Sequence, residues 1–281
     1  MLIGSIIIII AAVVVISSMS SPAADSKSAD QASQVAGETV SQGSEELNSQ
    51  GSDELVAAVG THGGEPETGF NPITGWGNSR EPLVQSTLFK RDSEARLIND
   101  LAANYTVSSD GLKWTVTIRD DVKFHDGMPL TAEDVAFTFN TAANAGGSID
   151  LSMLEKATAT DDYTVEFEMN DPQSTFINKL VALGIVPEHA YNAETYGSSP
   201  IGSGPYKFVQ WDKGQQVIFE ANQDYYGQEP YFKKLTMLFM GSDSAFAAAK
   251  AGQVDLAEIP SSYAHQTVDG MKIVSLDSID A

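Results

Sequence analysis

The chain has 281 residues, of which 42% are hydrophobic, enough for one large domain or two smaller ones with cores of their own. Its 38 acidic and 16 basic side chains give a formal net charge of −22, which argues against a nucleic-acid partner because a polyanion would be repelled. No cysteine is present, which excludes disulfides, thiolate nucleophiles and cysteine-ligated zinc or iron–sulfur sites.

Residues 1–18 form a hydrophobic segment with an unbroken apolar run from Ile6 to Ile16. This length suits the apolar region of a signal peptide and is short for a full membrane span. No Lys or Arg precedes the run, so either the true start lies upstream or the export signal is atypical. A buried core helix is the alternative. We interpret the segment as a signal or membrane anchor.

Residues 19–52 are rich in Ser, Gln, Ala and acidic side chains and contain no aromatic residue. Such a segment cannot bury enough apolar surface to offset the entropy lost on ordering, so it is predicted to be a disordered tether. An apolar N-terminus followed by a tether and a globular body indicates an extracytoplasmic protein, at the cell surface or in the periplasm.

The globular body begins with the short apolar run 53–60, a candidate buried strand. Residues 63–77 are punctuated by Gly and Pro and predict a loop, whereas 81–92 have apolar residues at helical spacing. Residues 111–127 alternate cleanly and predict a half-buried strand whose inner face carries Trp114, Val116 and Ile118.

The stretch "KFHDGMPLTAEDVAFTF" (123–139) contains residues common in active sites, but local structure accounts for them. Asp126 and Gly127 are a typical tight-turn pair. Thr131 and Asp134 have the spacing of a capping box, which predicts a helix start. We therefore expect His125 to be a packing or surface residue, with a catalytic base as the alternative.

The remaining elements continue the alternation of strands and helices. Residues 161–169 alternate as a strand, and 174–191 predict a helix that breaks at Gly184 and Pro187. A Gly/Pro turn and two strands follow in 199–226, a strand in 233–240, and a helix and strand in 242–259. This order predicts a mixed α/β (or α+β) body.

No common catalytic or phosphate-binding motif occurs in the sequence. The glycines of "GSGP" (202–205) are followed at once by proline, which argues against a phosphate cradle. The four histidines are scattered, and no two are four residues apart: His62, His125, His189 and His265. We therefore predict a protein without enzymatic activity and without a resident cofactor.

Five segments, in this order, resemble the family 5 solute-binding proteins, the peptide/nickel substrate-binding components of ABC importers. They are "WTVTIRDDVKFHDGMPLTAEDVAFTF", "DDYTVEFEM", "PIGSGPYKF", "FEANQDYYGQEPYFKKL" and "AAAKAGQVDLAEIP". The resemblance covers about residues 54 to 260. It implies a two-lobed, type II periplasmic-binding-protein architecture that closes on its ligand about a hinge.

The resemblance also implies the domain organisation. The solute-binding region would be 53–258, with lobe I formed by about 54–76 and 196–258 and an inserted lobe by about 77–195. Residues 259–281 would begin a large third lobe, which is truncated, since family members are much longer than this chain. The partners implied are an ABC permease and its ATPase. Because the chain has no cysteine for lipid attachment, its apolar N-terminus would anchor it, or it would be secreted.

The ligand implied by the resemblance is either an oligopeptide or chelated nickel. The segment around Trp76 is more similar to the nickel-type branch, and Trp76 would offer an aromatic contact to the chelate. His62 is a candidate metal ligand, and Thr74 is a third candidate contact. Leu183 takes the place of an arginine found in some nickel-chelate binders. Packed or solvated roles for Trp76 and His62, a truncated fragment that binds nothing, and an enzyme on a similar scaffold are the alternatives.

Overall fold

A computed structural model describes residues 5–9, 53–59, 65–66, 69–75, 83–92, 94–263 and 265–275. Its strands are β1 Ser5–Ile9, β2 Glu54–Val59, β3 Phe89–Arg91, β4 Leu97–Asn99, β5 Ala102–Val107, β6 Lys113–Ile118, β7 Leu154–Asp161, β8 Thr164–Met169, β9 Tyr206–Asp212, β10 Gln216–Ala221, β11 Lys234–Phe239, β12 Leu256–Pro260 and β13 Lys272–Ser275. Its α-helices are α1 Ala132–Ala145, α2 Ile177–Ala182 and α3 Ser242–Lys250. Among the residues so described, no helix has the length and apolar content needed to cross a membrane.

The larger sheet has seven strands in the order β13-β1-β12-β2-β11-β10-β9. Strand β2 runs parallel to β11 and β12, and the other pairs are antiparallel. Strand β1 lies within the predicted signal or anchor segment and pairs with β12 and β13. The signal or anchor role stays a prediction, and the predicted tether, 19–52, lies outside the described residues.

The smaller sheet has four strands in the order β5-β6-β8-β7, and its inner face is the main core of the molecule. The predicted alternation in β6 is confirmed, since Trp114, Val116 and Ile118 are all buried. Helix α1 packs across β7 and β8 through Phe139, whose ring meets the ring of Phe167 edge-on at 4.9 Å. Both aromatic side chains are fully buried, so this contact anchors the helix to the sheet.

The helical spacing noted in residues 81–92 does not produce a helix, and the prediction drawn from it is wrong. The segment runs as an irregular, bent chain through the interior before β3, and every residue from Val84 to Leu88 is buried. Its backbone bonds distant segments on both sides: Leu88 N–H donates to Leu180 O (3.2 Å), and Gly204 N–H donates to Val84 O (2.8 Å). A chain buried on all sides shows apolar residues without a strand-like period, so its pattern resembles that of a helix.

The predicted turn and helix start in 123–139 are confirmed. Gly127 has a φ of 88°, and the Met128 N–H donates to Asp126 Oδ1 (3.1 Å). At the start of α1, Thr131 N–H donates to Asp134 Oδ2 (2.9 Å), and the capping box is complete in both directions. Asp134 also accepts from the Glu188 N–H (3.0 Å), so the cap holds the segment after α2 as well.

The four-stranded sheet and helices α1 and α2 interrupt the larger sheet in the chain, between β2 and β9. Strand β13, within residues 259–281, lies at one edge of the larger sheet. The lobe boundaries drawn from the family resemblance stay a prediction.

Candidate ligand-binding edge of the large sheet

Three parallel strands of the larger sheet end at the same edge. Val59 at the end of β2 is aligned with Phe239 at the end of β11, and Ala58 is aligned with Ala257 of β12. In open α/β sheets, ligands bind in the crevice beyond the carboxyl ends of parallel strands. The segments that follow β2, β11 and β12 are therefore the candidate ligand-binding surface.

The segment after β2 forms a turn around Asn71, which is buried. The Asn71 side chain accepts from the Ile73 N–H (3.0 Å) and donates from Nδ2 to the hydroxyl of Tyr191 (3.2 Å). The backbone carbonyl of Asn71 accepts from the Gly75 N–H (3.3 Å) and from the Thr74 hydroxyl (3.3 Å). The buried asparagine thus fixes a turn that presents Thr74 as an exposed side chain.

Tight backbone contacts hold this turn from behind. Phe70 N–H donates to Gly197 O (2.7 Å), and a Cβ added to Gly69 would lie 2.2 Å from that same oxygen. The Gln85 amide donates to the hydroxyl of Tyr196 (3.2 Å), which in turn donates to Ile201 O (2.6 Å). Burial raises the pKa of Tyr196, so its hydroxyl keeps the proton that this bond requires.

The loop that follows α1 lies directly against the same turn. A Cβ on Gly147 would come within 2.2 Å of Ile73 O and 3.5 Å of Thr74 Cα. Only glycine permits this approach without a shift of the backbone. The loop after α1, in the smaller sheet's unit, therefore borders the surface that displays Thr74.

The segments after β11 and β12 are tied to one another. Helix α3 begins at Ser242, and the Tyr263 hydroxyl, which follows β12, donates to Asp243 in its first turn. The Tyr263 ring also stacks on Phe246 at 4.5 Å with the planes 9° apart. These contacts fix the orientation of the α3 N-terminus at the ligand-binding edge.

The structure places one of the three residues predicted from sequence. Thr74 lies exposed in the turn around Asn71, whereas His62 and Trp76 lie outside the described residues, and a ligand-binding role stays a prediction for all three. Sequence reasoning missed Asn71 and Gly147, which shape the surface. The Asn-Pro pair at 71–72 is a turn signal that marks the first, and no local signal marks the second because its partner lies more than 70 residues away.

His125 is a structural residue, as expected from the sequence. Its Nε2 lies 3.0 Å from Gly204 O, and its Nδ1 accepts from the Gly202 N–H (3.3 Å). Burial lowers the pKa of His125 from 6.5 to about 4, so the ring is neutral at pH 7. The imidazole thus joins the turn before α1 to "GSGP". Glycines 202 and 204 are required there because a Cβ would collide with backbone of residues 83–85.

No metal cluster is found at this edge within the described part of the chain. No three His, Asp or Glu side chains among the described residues are placed to hold a metal ion. Two cavities of about 460 and 340 Å³ lie elsewhere, at the β5–β6 hairpin and at the amino end of β11. Leu183 is fully buried and contributes to the core.

Comparison with known proteins identifies the family. Residues 96–278 match the family model "Bacterial extracellular solute-binding proteins, family 5 Middle". Protein XP55 of Streptomyces lividans is 34% identical over 211 residues, which cover 71% of this chain and 38% of that protein. The oligopeptide-binding protein AppA of Bacillus subtilis is 32% identical over 196 residues, covering 64% of this chain and 36% of AppA.

Solved structures give the same result and confirm the predicted mixed α/β, type II binding-protein architecture. NikZ from Campylobacter jejuni, in complex with Ni(L-His), has a TM-score of 0.69 and 30% identity, with 75% of this chain and 44% of NikZ covered. AppA in complex with a nonapeptide has a TM-score of 0.68 and 27% identity, with 79% and 47% covered. The chain thus spans less than half the length of these relatives. It belongs to the bacterial extracellular solute-binding proteins of family 5.

Proposed function

We propose that this chain forms one wall of the ligand site in the extracytoplasmic substrate-binding component of an ABC importer. The observation that carries the proposal is the edge where β2, β11 and β12 end, since the chain leaving β2 leads to the turn that displays Thr74 and α3 begins directly after β11. The turn and its neighbouring loop are held rigidly by buried hydrogen bonds and close glycine contacts. A preformed wall of this kind suits capture and release of a ligand without turnover.

The proposed ligand is an oligopeptide or chelated nickel. Both classes are supported by relatives of comparable similarity, one bound to Ni(L-His) and one to a nonapeptide. Thr74, Trp76 and His62 are the proposed ligand contacts, and His62 would coordinate nickel in the second case. Nickel would then be transported cargo and not a resident cofactor.

The proposed partners are an ABC permease and its ATPase, which would receive the ligand after closure. We propose that the apolar segment 1–18 holds the protein at the membrane and that residues 19–52 form a flexible tether between this anchor and the folded body. Measuring whether the chain stays with the membrane fraction after a salt wash, beside a variant lacking 1–18, tests this arrangement. Release of both forms by the wash would exclude anchoring.

The ligand is tested by thermal melting of the 281-residue chain with nickel, with nickel plus free histidine, and with a pool of mixed pentapeptides. A ligand present at about a hundred times its dissociation constant adds roughly 2.7 kcal/mol to the stability. For a folded body of this size the melting temperature then rises by roughly 5 to 10 °C. A rise with nickel–histidine alone selects the nickel branch, and a rise with peptides alone selects the peptide branch.

Substitutions then test the three residues. His62→Ala should abolish a nickel-dependent rise and leave a peptide-dependent rise unchanged, since only the metal needs the imidazole. Trp76→Ala should weaken either response, whereas Tyr231→Ala is the matched aromatic control, because Tyr231 is 75% exposed and lies just before the amino end of β11. Equal losses in the Trp76 and Tyr231 variants would remove Trp76 from the site.

A second candidate is a chain that binds nothing by itself. It is favoured by the coverage of its relatives, 44% of NikZ and 47% of AppA. A version extended to the length of these relatives would then respond to ligand while the 281-residue chain would not. An enzyme on the same scaffold would instead show turnover of a bound peptide, which liquid chromatography of the pentapeptide pool would detect.

A further inference from the structure

The hairpin that joins β9 to β10 has its tip, residues 213–215, at the ligand-binding edge. Strand β10 is antiparallel to β11, so the start of β10 lies beside the end of β11. Phe239 N–H donates to Gln215 O (2.8 Å), which ties the hairpin tip to the last residue of β11. Because Phe239 is also aligned with Val59, the tip lies on the same edge as the point where the chain leaves β2.

Glu65, in the chain that leaves β2, bonds this hairpin directly. Its Oε1 atom accepts from the indole N–H of Trp211 (2.8 Å) and from the backbone N–H of Gly214 (2.6 Å). Hydrogen bonds to a carboxylate are about twice as strong as those between neutral groups. The two donors are 146 and 149 residues away in sequence, so one side chain joins two distant segments at the edge.

The same tryptophan packs against the start of the turn around Asn71. Its ring meets the ring of Phe70 edge-on, with the centroids 5.2 Å apart and the planes at 79°. Phe70 is fully buried and immediately precedes Asn71. The Lys213 ammonium lies 4.8 Å from the centroid of the Trp211 ring and adds a cation–π contact. Trp211 is therefore fixed by Glu65 at its N–H and by Phe70 at its ring.

We propose that Glu65 is a positioning residue of the ligand site, which holds the chain that leaves β2 against the hairpin tip. The inference rests on the proposed function, because it concerns the same edge of the sheet. Two of the predicted contacts flank this anchor in sequence, since His62 precedes Glu65 by three residues and Thr74 follows it by nine. Glu65 itself would not touch the ligand, because both of its bonds are directed to the hairpin.

Anchoring of this kind increases affinity by reducing the freedom of the segment before the ligand arrives. A segment that a ligand must first order uses part of the binding free energy for that ordering, whereas a preformed segment does not. Loss of the anchor should therefore weaken ligand binding, even where the sheets and their core stay intact. This consequence separates a positioning role from a purely structural one.

The first part of the test needs no ligand and follows hydrogen exchange in the 281-residue chain by NMR. Glu65→Ala should speed exchange at the Trp211 indole N–H and the Gly214 amide by about tenfold to a hundredfold, because both lose their acceptor. The Gly69 amide, which donates to Pro66 O (3.3 Å), should also exchange faster because its segment loses the anchor. Faster exchange at Gly69 is the result that shows positioning.

Two further variants provide the controls. Glu65→Gln keeps an acceptor oxygen at the same reach, so exchange at the three sites should rise by less than about fivefold. Glu229→Ala removes an exposed glutamate just before the amino end of β11, at the opposite end of that strand from the hairpin tip. This variant should leave all three sites unchanged, which controls for the loss of one negative charge.

The second part measures binding of nickel with free histidine and of the pool of mixed pentapeptides. For the probe that binds the wild type, Glu65→Ala should raise the dissociation constant about tenfold, and Glu65→Gln should stay within about threefold of the wild type. Trp211→Phe keeps a ring against Phe70 but removes the N–H. It should weaken binding in the wild type and have a smaller effect in the Glu65→Ala background, because the two residues act through one bond.

Three results would overturn the proposal. The first is unchanged exchange at Gly69 in Glu65→Ala, and the second is equal affinity of Glu65→Ala and the wild type for a probe that binds. The third is an equal loss of affinity in Glu65→Ala and Glu229→Ala, since the effect would then come from net charge. A wild type that binds neither probe would contradict the proposed function instead. Exchange at Gly69 would then decide the anchor by itself, with faster exchange supporting it and unchanged exchange excluding it.

Discussion

Replacing His125 by glutamine should flatten the dependence of stability on pH. The imidazole is half-buried between the turn before α1 and "GSGP", with Nδ1 accepting from Gly202 N–H and Nε2 close to Gly204 O. A proton added to Nδ1 would lose the first bond and place a charge in the interior. Burial accordingly lowers the pKa of His125 to about 4.

The magnitude follows from the difference between the native and unfolded pKa values. In the unfolded chain the histidine binds a proton near its ordinary pKa of 6.5, whereas in the native state it does so only near 4. Between these values the unfolded state holds more protons, so stability is lost as the pH falls. One pKa unit corresponds to about 1.4 kcal/mol, so lowering the pH from 7.5 to 4.5 should cost about 2.5 kcal/mol through this residue alone.

The assay is urea unfolding of the wild type and His125→Gln at pH 7.5, 6.5, 5.5 and 4.5. Glutamine keeps a donor and an acceptor but takes no proton, so the stability advantage of the wild type should shrink by about 2.5 kcal/mol over this range. His265→Gln is the control, because His265 is exposed, and it should follow the wild-type curve. Parallel curves for the wild type and His125→Gln would refute a buried neutral imidazole.

Three further substitutions test the packing by urea unfolding or exchange. Asp134→Ala should lower the free energy of unfolding by about 2 kcal/mol or more, because it leaves the Thr131 and Glu188 amides unpaired. The control Glu133→Ala, at the exposed neighbouring position, should lower it by under about 1 kcal/mol. Phe139→Ala should cost about 3 to 5 kcal/mol, because the ring is fully buried, and a loss below 1 kcal/mol would contradict the packing. Gly147→Ala should lower the free energy of unfolding by about 1 to 3 kcal/mol, because the new Cβ would press on Ile73 O. It should also speed hydrogen exchange at the Ile73 amide. Unchanged exchange would show that the loop after α1 and the turn around Asn71 are not in contact.

The elements that sequence predicts well are those whose pattern has a local cause. Strand β6 alternates because one face is buried, and α1 begins where Thr131 and Asp134 cap it. The segment from Val84 to Leu88 was predicted wrongly because distant chain covers both of its sides. No window of neighbouring residues contains that information.

The candidate site also has one part that the sequence predicts and another part that depends on distant contacts. The Gly- and Pro-rich composition of 63–77 predicts a loop after β2, and Thr74 lies in that loop. The shape of the loop depends on Tyr191, which bonds Asn71 from 120 residues away, and on the close approach of Gly147. Contacts over such separations arise only once both sheets have formed, so the sequence indicates where the surface is but not its geometry.

Two of the segments that resemble the family meet at a junction between distant parts of the chain. His125, from "KFHDG", bonds the backbone at Gly202 and Gly204, and those glycines press against residues 83–85. A junction of this kind must be kept whatever ligand is bound. The comparisons agree, since one relative bound to Ni(L-His) and another bound to a nonapeptide superpose on this chain almost equally well, with TM-scores of 0.69 and 0.68. The part of the fold that this chain shares with both relatives is therefore compatible with either ligand class and does not by itself select one.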